Sequence, residues 1–222
     1  MRRKPPESSY SLFIGNERIE FVNTLRCLGV YLNHDLSWNS HISNTCGSVN
    51  SGLSMLRQSQ TYISKNMRLY LVKSLIIPKF TYCSELFFGS SREDWSAINK
   101  CFNHCIRYIC GKHKYDSIST DKKIILGCSL ESYMKYRACL FIFNLLRTKT
   151  PQYLYEKLQF PRYPRNCCLT IPTLPKSSQH FQRSFFVLGV RLWNSLSPEI
   201  RMNVAQSSFK HECLTFFTSR ES

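Results

Sequence analysis

The stretch from Ser91 to Gly111, SREDWSAINKCFNHCIRYICG, decides the fold. Ser91 with Asp94 three residues later makes a capping box, in which each side chain satisfies a backbone N–H that a helix start leaves open. Trp95, Ile98, Cys101, Phe102, Cys105, Ile106 and Ile109 then recur at three- and four-residue spacing and draw one apolar stripe. Lys100, Asn103 and Arg107 fall on the opposite face. Gly111 stands where a left-handed residue ends a helix. A long amphipathic helix with both ends written into the sequence needs other helices to cover its stripe.

Upstream, Ile42, Cys46, Val49, Leu53 and Leu56 repeat the helical period, with Ser37 or Asn39 positioned as the cap and Gly47 and Gly52 as weak points. A second helix is expected from Ser64 to about Ile77. It is apolar on nearly every side and so reads as a buried central element, ended or kinked by Pro78. Downstream, a short helix is expected over Asp121–Leu126, stopped by Gly127, and a long one from Leu130 to about Thr148. Residues 161–180 hold Pro161, Pro164, Pro172 and Pro175 and read as an extended, irregular connector. Helices over Ser184–Trp193 and Ser207–Phe217 flank Ser197-Pro198-Glu199, a cap with Pro at the first helical position.

The N-terminal part has a different period. The first nine residues read as a disordered lead-in. The runs 11–14 and 17–22 flank Gly15-Asn16 and predict a hairpin, with Ile19 and Phe21 facing one way and Arg18 and Glu20 the other. Leu25–Leu32 is expected to add a third strand, with Gly29 marking a bend or a close backbone approach. The fold class is therefore mainly α, preceded by a small antiparallel β-hairpin element.

The 222 residues carry 30 Lys and Arg against 14 Asp and Glu, a net charge of +16. The excess is central: residues 61–120 carry +5 and residues 121–180 carry +7, against +2 in each flanking region. A folded basic surface suits a polyanion, with a phosphate backbone as the leading candidate, though basic surfaces are also commonly inert. The apolar stretches are too short and too polar to cross a membrane, and no secretion leader is seen after Arg2-Arg3-Lys4. Eleven cysteines without a repeating framework then fit reduced thiols in an intracellular protein, nuclear or cytoplasmic.

Three segments, in order, carry a family resemblance. The first runs from Phe21-Val22 to Leu32 and on through Asp35-Leu36-Ser37-Trp38 and His41-Ile42. The second is Tyr70 to Tyr82, with Leu75-Ile76-Ile77-Pro78. The third is Arg183-Ser184-Phe185 through Leu192-Trp193-Asn194-Ser195-Leu196-Ser197-Pro198-Glu199-Ile200-Arg201, with Ser208-Phe209-Lys210. Together they resemble the C-terminal part of a non-LTR (LINE-type, jockey-like) retrotransposon reverse transcriptase, an RNA-directed DNA polymerase. The resemblance implies a palm-remnant hairpin over 1–35, a helical thumb-like domain over 36–150, and a Pro-rich connector with a C-terminal helical extension over 151–222. It also implies a primer-grip-like role for Cys27, Leu28, Gly29 and Val30. The implied partners are an RNA or DNA template–primer and the palm and fingers of the same polymerase, with no membrane.

Catalysis in that family needs carboxylates converging on two Mg²⁺ ions. In this chain the only adjacent acidic pair is Glu93-Asp94, which capping and the helix dipole already explain. Asp35 reads as a turn or cap residue. No catalytic residue and no cofactor is therefore assigned within the chain; Mg²⁺ is expected only with the upstream catalytic part. The sequence thus reads as the C-terminal fragment of such an enzyme, inactive alone. A repurposed RNA- or DNA-binding protein and a helical protein-interaction module remain open as other readings. Candidate phosphate contacts are Lys65, Arg68, Lys100, Arg107, Lys112, Lys114, Lys122 and Lys123, each of which alone is more often a solvated charge. Cys101, His104 and Cys105 fall within one helical turn, with Cys110 and His113 beyond, but the two stripe cysteines read as core packing rather than zinc ligands.

Overall fold

The computed structural model describes residues 11–161, 167–170 and 179–221. The lead-in over residues 1–9 and most of the Pro-rich connector lie outside them. The described chain is mainly helical, with two small antiparallel sheets of two strands each before the helices. Strands β1 (Leu12–Ile14) and β2 (Glu17–Ile19) pair around Gly15, whose φ is +61°.

The third β run does not join that sheet. It folds on itself as β3 (Thr24–Cys27) and β4 (Val30–Asn33). The reason is the two-residue turn between them: Leu28 and Gly29 both take positive φ, 47° and 83°, the geometry a primed hairpin turn demands.

Helix α1 (Asn39–Arg57) follows. Neither Ser37 nor Asn39 caps it: Trp38 holds the cap position with no side-chain bond. Ser37 instead donates its N–H to Asp35 Oδ1 at 2.9 Å, a local Asx turn. Helix α2 (Lys65–Leu71) starts on Ser64, whose hydroxyl accepts from the Met67 N–H. A π turn over Val72–Ile76 joins it to α3 (Ile77–Thr81), so the chain stays helical past Pro78. Pro78 has no N–H and its ring crowds the preceding turn; the wider π turn absorbs this, and Pro78 sits in the first turn of α3, where its missing donor costs nothing. Nor is this element buried on every side. Val72, Ile76, Ile77 and Phe80 face the core, while Met67, Tyr70 and Leu75 are exposed. Gly52 explains how closely it packs: a Cβ there would stand 2.8 Å from Ile76 Cδ1.

After α4 (Ser84–Phe87) comes α5 (Arg92–Cys110), with its capping box formed and Gly111 closing it at φ +66°. Asp121–Leu126 is a run of turns entered through a short 3-10 segment, Ser119–Asp121, and not a helix. Helix α6 (Leu130–Thr148) is capped by Ser129. Then come α7 (Gln152–Tyr155), α8 (Gln179–Gln182), α9 (Phe185–Ser195), α10 (Pro198–Arg201), capped by Ser197, and α11 (Gln206–Ser219).

Two apolar clusters hold the body together. The first joins α1, α3 and α5 to the start of α6 through Val49, Leu53, Phe80, Ile98 and Ile106. The second packs the rest of α6 against α9 and α11. There Phe209 stacks on Phe143 at 4.2 Å between ring centres and lies 5.9 Å from the Trp193 ring. Arg137 on α6 reaches Glu85 on α4 at 3.2 Å. Trp193 and Asn194 of α9 do structural work here. Trp193 Nε1 donates to the Cys167 carbonyl at 2.8 Å. Asn194 accepts from the Leu169 N–H at 3.0 Å and donates to its carbonyl at 2.7 Å. No helix among the described residues is long and apolar enough to cross a membrane.

Candidate nucleic-acid interface

The β3–β4 hairpin is fixed to the helical body at its turn. Val30 is buried against it, whereas Leu28 is 87% exposed. A non-glycine residue at positive φ is strained unless its surroundings hold it. Tyr82, just past α3, does so by donating its hydroxyl to the Leu28 carbonyl at 2.5 Å. Its ring lies 3.5 Å from where a Cβ on Gly29 would stand. On the strands, Arg26 and Tyr31 are directly opposed, and the guanidinium sits 5.6 Å from the ring centre, within cation–π range.

A cleft of about 540 Å³ opens between this hairpin, α1 and α3. Arg26, Gly29, Tyr31, His41, Asn44, Thr45, Ser48, Pro78, Lys79 and Tyr82 line it, two cations with no carboxylate among them. Lys79 donates to the Ser48 carbonyl at 2.9 Å, which ties α3 to α1 and places its ammonium at the cleft. His41 is 5% exposed, lies 5.3 Å from the Phe87 ring, and its Nδ1 has no protein partner. Burial holds its pKa below the ordinary value, so the ring is neutral near pH 7. Residues of the first two resembling segments therefore line one cleft: Gly29 and His41 from the first, Pro78 and Tyr82 from the second.

A second basic cluster gathers where α1 and α5 end. His104 bonds Asn50 Oδ1 at 3.3 Å. Its pKa is held down by burial first and then by Arg57, Arg107 and Lys114, three cations close enough to oppose its protonation. The sequence reading weighed His104 only as a metal ligand and passed over Arg57 here; at the cleft it quoted the segments that hold Arg26, Tyr31, Lys79 and Tyr82 without giving those residues a role. The only signal in the sequence is Arg57's place in the last turn of α1; the rest depends on which helices meet.

The remaining basic candidates divide. Lys65, Lys100 and Lys122 are exposed, and Lys114 is exposed with its ammonium 5.4 Å from the Tyr115 ring centre. Arg68 turns inward and donates to the Tyr108 carbonyl at 3.3 Å. Arg107 reaches the Asp116 carbonyl at 3.5 Å while its Nε is buried without a partner. Lys112 pairs with Asp121 at 2.5 Å, which raises the lysine's pKa and lowers the aspartate's. Lys123 lies 3.6 Å from Glu221. Cys101 and Cys105 are buried on the α5 stripe, and among the described residues no three His, Cys, Asp or Glu side chains converge in a way that would hold a metal ion. Family models, curated proteins and solved structures were all compared with the chain, and none matches it.

Proposed function

We propose that the chain is the primer-gripping, thumb-like part of a retroelement RNA-directed DNA polymerase. Its role is to hold a template–primer duplex for catalytic carboxylates supplied from outside these residues. One observation carries the reading: Tyr82 bonds the Leu28 carbonyl, and this joins two separately recognised segments into one carboxylate-free cleft. A sugar-phosphate strand has what such a cleft can use. Arg26 and Lys79 neutralise phosphate, the exposed Leu28–Gly29 turn admits close backbone approach, and the Tyr31 and Tyr82 rings offer stacking faces. The Arg57, His104, Arg107 and Lys114 cluster would follow the duplex farther along. Contacts of this kind position a backbone and read little sequence.

The test is the affinity of a short RNA–DNA template–primer duplex for the chain and for an Arg26→Ala/Lys79→Ala double variant. The expected result is a loss of about tenfold or more, since each charged contact is worth roughly 1 kcal/mol, with unchanged helical circular dichroism. Equal affinities would remove the cleft from the interface. A second reading, a protein-interaction module, is favoured by the exposed Leu12, Phe13, Ile14, Phe21 and Val22. Binding that ignores both substitutions and depends on those residues would support it.

A further inference from the structure

Two hollows that share no lining residue with the basic cleft meet one another at Leu86, Phe185 and Phe186. The smaller, about 280 Å³, is a pit walled by Phe141 and Leu145 of α6 and Leu154 of α7. The one charge in its lining, Glu85, is already paired with Arg137 at 3.2 Å, so the pit offers an apolar seat. It is smaller than most drug-sized sites and suits one or two side chains. The larger hollow, about 590 Å³, is its mouth. A Cβ on Gly89 would collide with the Arg183 carbonyl oxygen, so the link between α4 and α5 lies directly on the backbone leading into α9, and the mouth is preformed.

The chain carries +16, yet this mouth is acidic: Asp35, Glu93 and Asp94 line it against one cation, Arg183. Asp94 is held in the α5 cap, where it accepts from the Ser91 N–H and hydroxyl. Asp35 and Glu93 are exposed, and neither makes an ion pair among the described residues. Such a mouth opposes a phosphate backbone and attracts an ammonium or guanidinium group. It also holds polar groups with nothing to bond. Ser64, Ser91, Ser129 and Ser197 each accept a first-turn N–H of the helix they precede. Ser184 holds the same position before α9 but makes no such bond, and its hydroxyl, like that of Ser90, is buried without a partner. The start of α9 therefore leaves backbone donors open, which a peptide carbonyl satisfies and a bare amine does not.

We infer that this double hollow is a docking site for a short segment of a partner protein in which an apolar side chain is flanked by Lys or Arg. The apolar side chain fills the pit beside Leu145 and Phe186. The basic one meets Asp35 and Glu93, and a main-chain carbonyl accepts from the open α9 donors. A peptide meets all three needs. Nucleic acid does not, because the carboxylates oppose its phosphates, and a simple organic amine brings no carbonyl. The inference does not depend on what the basic cleft binds.

The experiment titrates the isotope-labelled full chain with the peptide acetyl-Gly-Lys-Phe-Leu-Lys-Gly-amide and follows backbone amides by NMR. The Leu86, Glu93 and Phe185 amides are expected to shift together, with a dissociation constant in the millimolar range or below. Replacing both Lys by Glu in the peptide, or its Phe and Leu by Ser, should weaken the response at those amides about tenfold or more. In Asp35→Asn/Glu93→Gln the original peptide should bind about threefold to tenfold more weakly. The proposal is overturned by no shift at these amides in millimolar peptide, by an equal response to the Glu peptide, or by an affinity that the double variant leaves unchanged. It is also overturned if an RNA–DNA duplex shifts the same amides, or if protein concentration alone does, which would seat a second copy there. The peptide series on the unaltered chain decides the matter even if the variant folds poorly.

Discussion

Phe13 in the first hairpin is 59% exposed, while Phe209 in α11 is fully buried between Trp193 and Phe143. The contrast extends to the regions around them. Every residue of β1, β2 and β3 is exposed, whereas each long helix of the body buries a stripe. Ladder hydrogen bonds and a favourable turn fix the register of a two-stranded hairpin but give it little stability in water. Burial of apolar surface supplies most of that, and here it lies in the helices. The second hairpin is intermediate, because Val30 and Tyr82 dock its turn while its strands stay open.

The sharpest way to break this comparison is to cut equal-looking aromatics from the two regions. Trp193→Ala should lose about 3–5 kcal/mol, the usual cost of emptying a core aromatic site. Phe13→Ala should lose about 0.5 kcal/mol or less. Urea denaturation of both variants measures the difference; similar losses would mean that the hairpin is covered in solution. At the junction, Tyr82→Phe removes the bond to Leu28 and should cost about 0.5–1.5 kcal/mol, toward the lower end because Tyr82 is half exposed. Hydrogen exchange should then quicken at the Cys27 and Val30 amides and stay unchanged in α6. Protection that survives the substitution would show that Val30 alone holds the hairpin.

Acidification probes the body selectively. The folded pKa values of His41 and His104 both lie below 6.5, so in the window beneath 6.5 the unfolded chain binds protons that the folded chain does not. Stability should be full above pH 6.5 and fall as pH drops below it. Thermal melts at about pH 7.5 and about pH 5.5 measure the loss. His41→Phe and His104→Gln should each remove part of it, and a loss that neither variant reduces would contradict the assignment. The smallest effect concerns association. The open faces of β1 and β2 should make the chain self-associate weakly at high concentration, and Phe13→Ser with Ile14→Ser should reduce it. A chain that sediments as a strict monomer would show that these faces do not attract one another.

Local signals were the legible part of the fold. The Ser91–Asp94 box, the Gly111 stop, the Ser197-Pro198 start and the Gly15 turn each act within a few residues, so their chemistry stands in the sequence itself. Leu28 is different. Leucine carries no turn signal, and the side chain that bonds its carbonyl, Tyr82, lies 54 residues away. Pro78 reads as a helix end because a π turn, which lets the helix continue, has no marker of its own. Cys27 through Val30 became candidates through the family resemblance, while their own residues read as part of one strand and not as the turn the chain makes there. The placing of Arg57 beside His104 and of Lys79 against Ser48 was not legible, because it depends on which helices meet. Some charges that look free in sequence are matched in space, Lys112 by Asp121 and Lys123 by Glu221.

The most direct test of the central claim is the salt dependence of binding to a template–primer duplex. Phosphate contacts release counterions, so the logarithm of the association constant should fall with the logarithm of salt concentration by about 0.7–0.9 per contact. The account predicts a steep slope that becomes shallower by about two contacts' worth in the Arg26→Ala/Lys79→Ala variant. A slope near zero in the unaltered chain would contradict it.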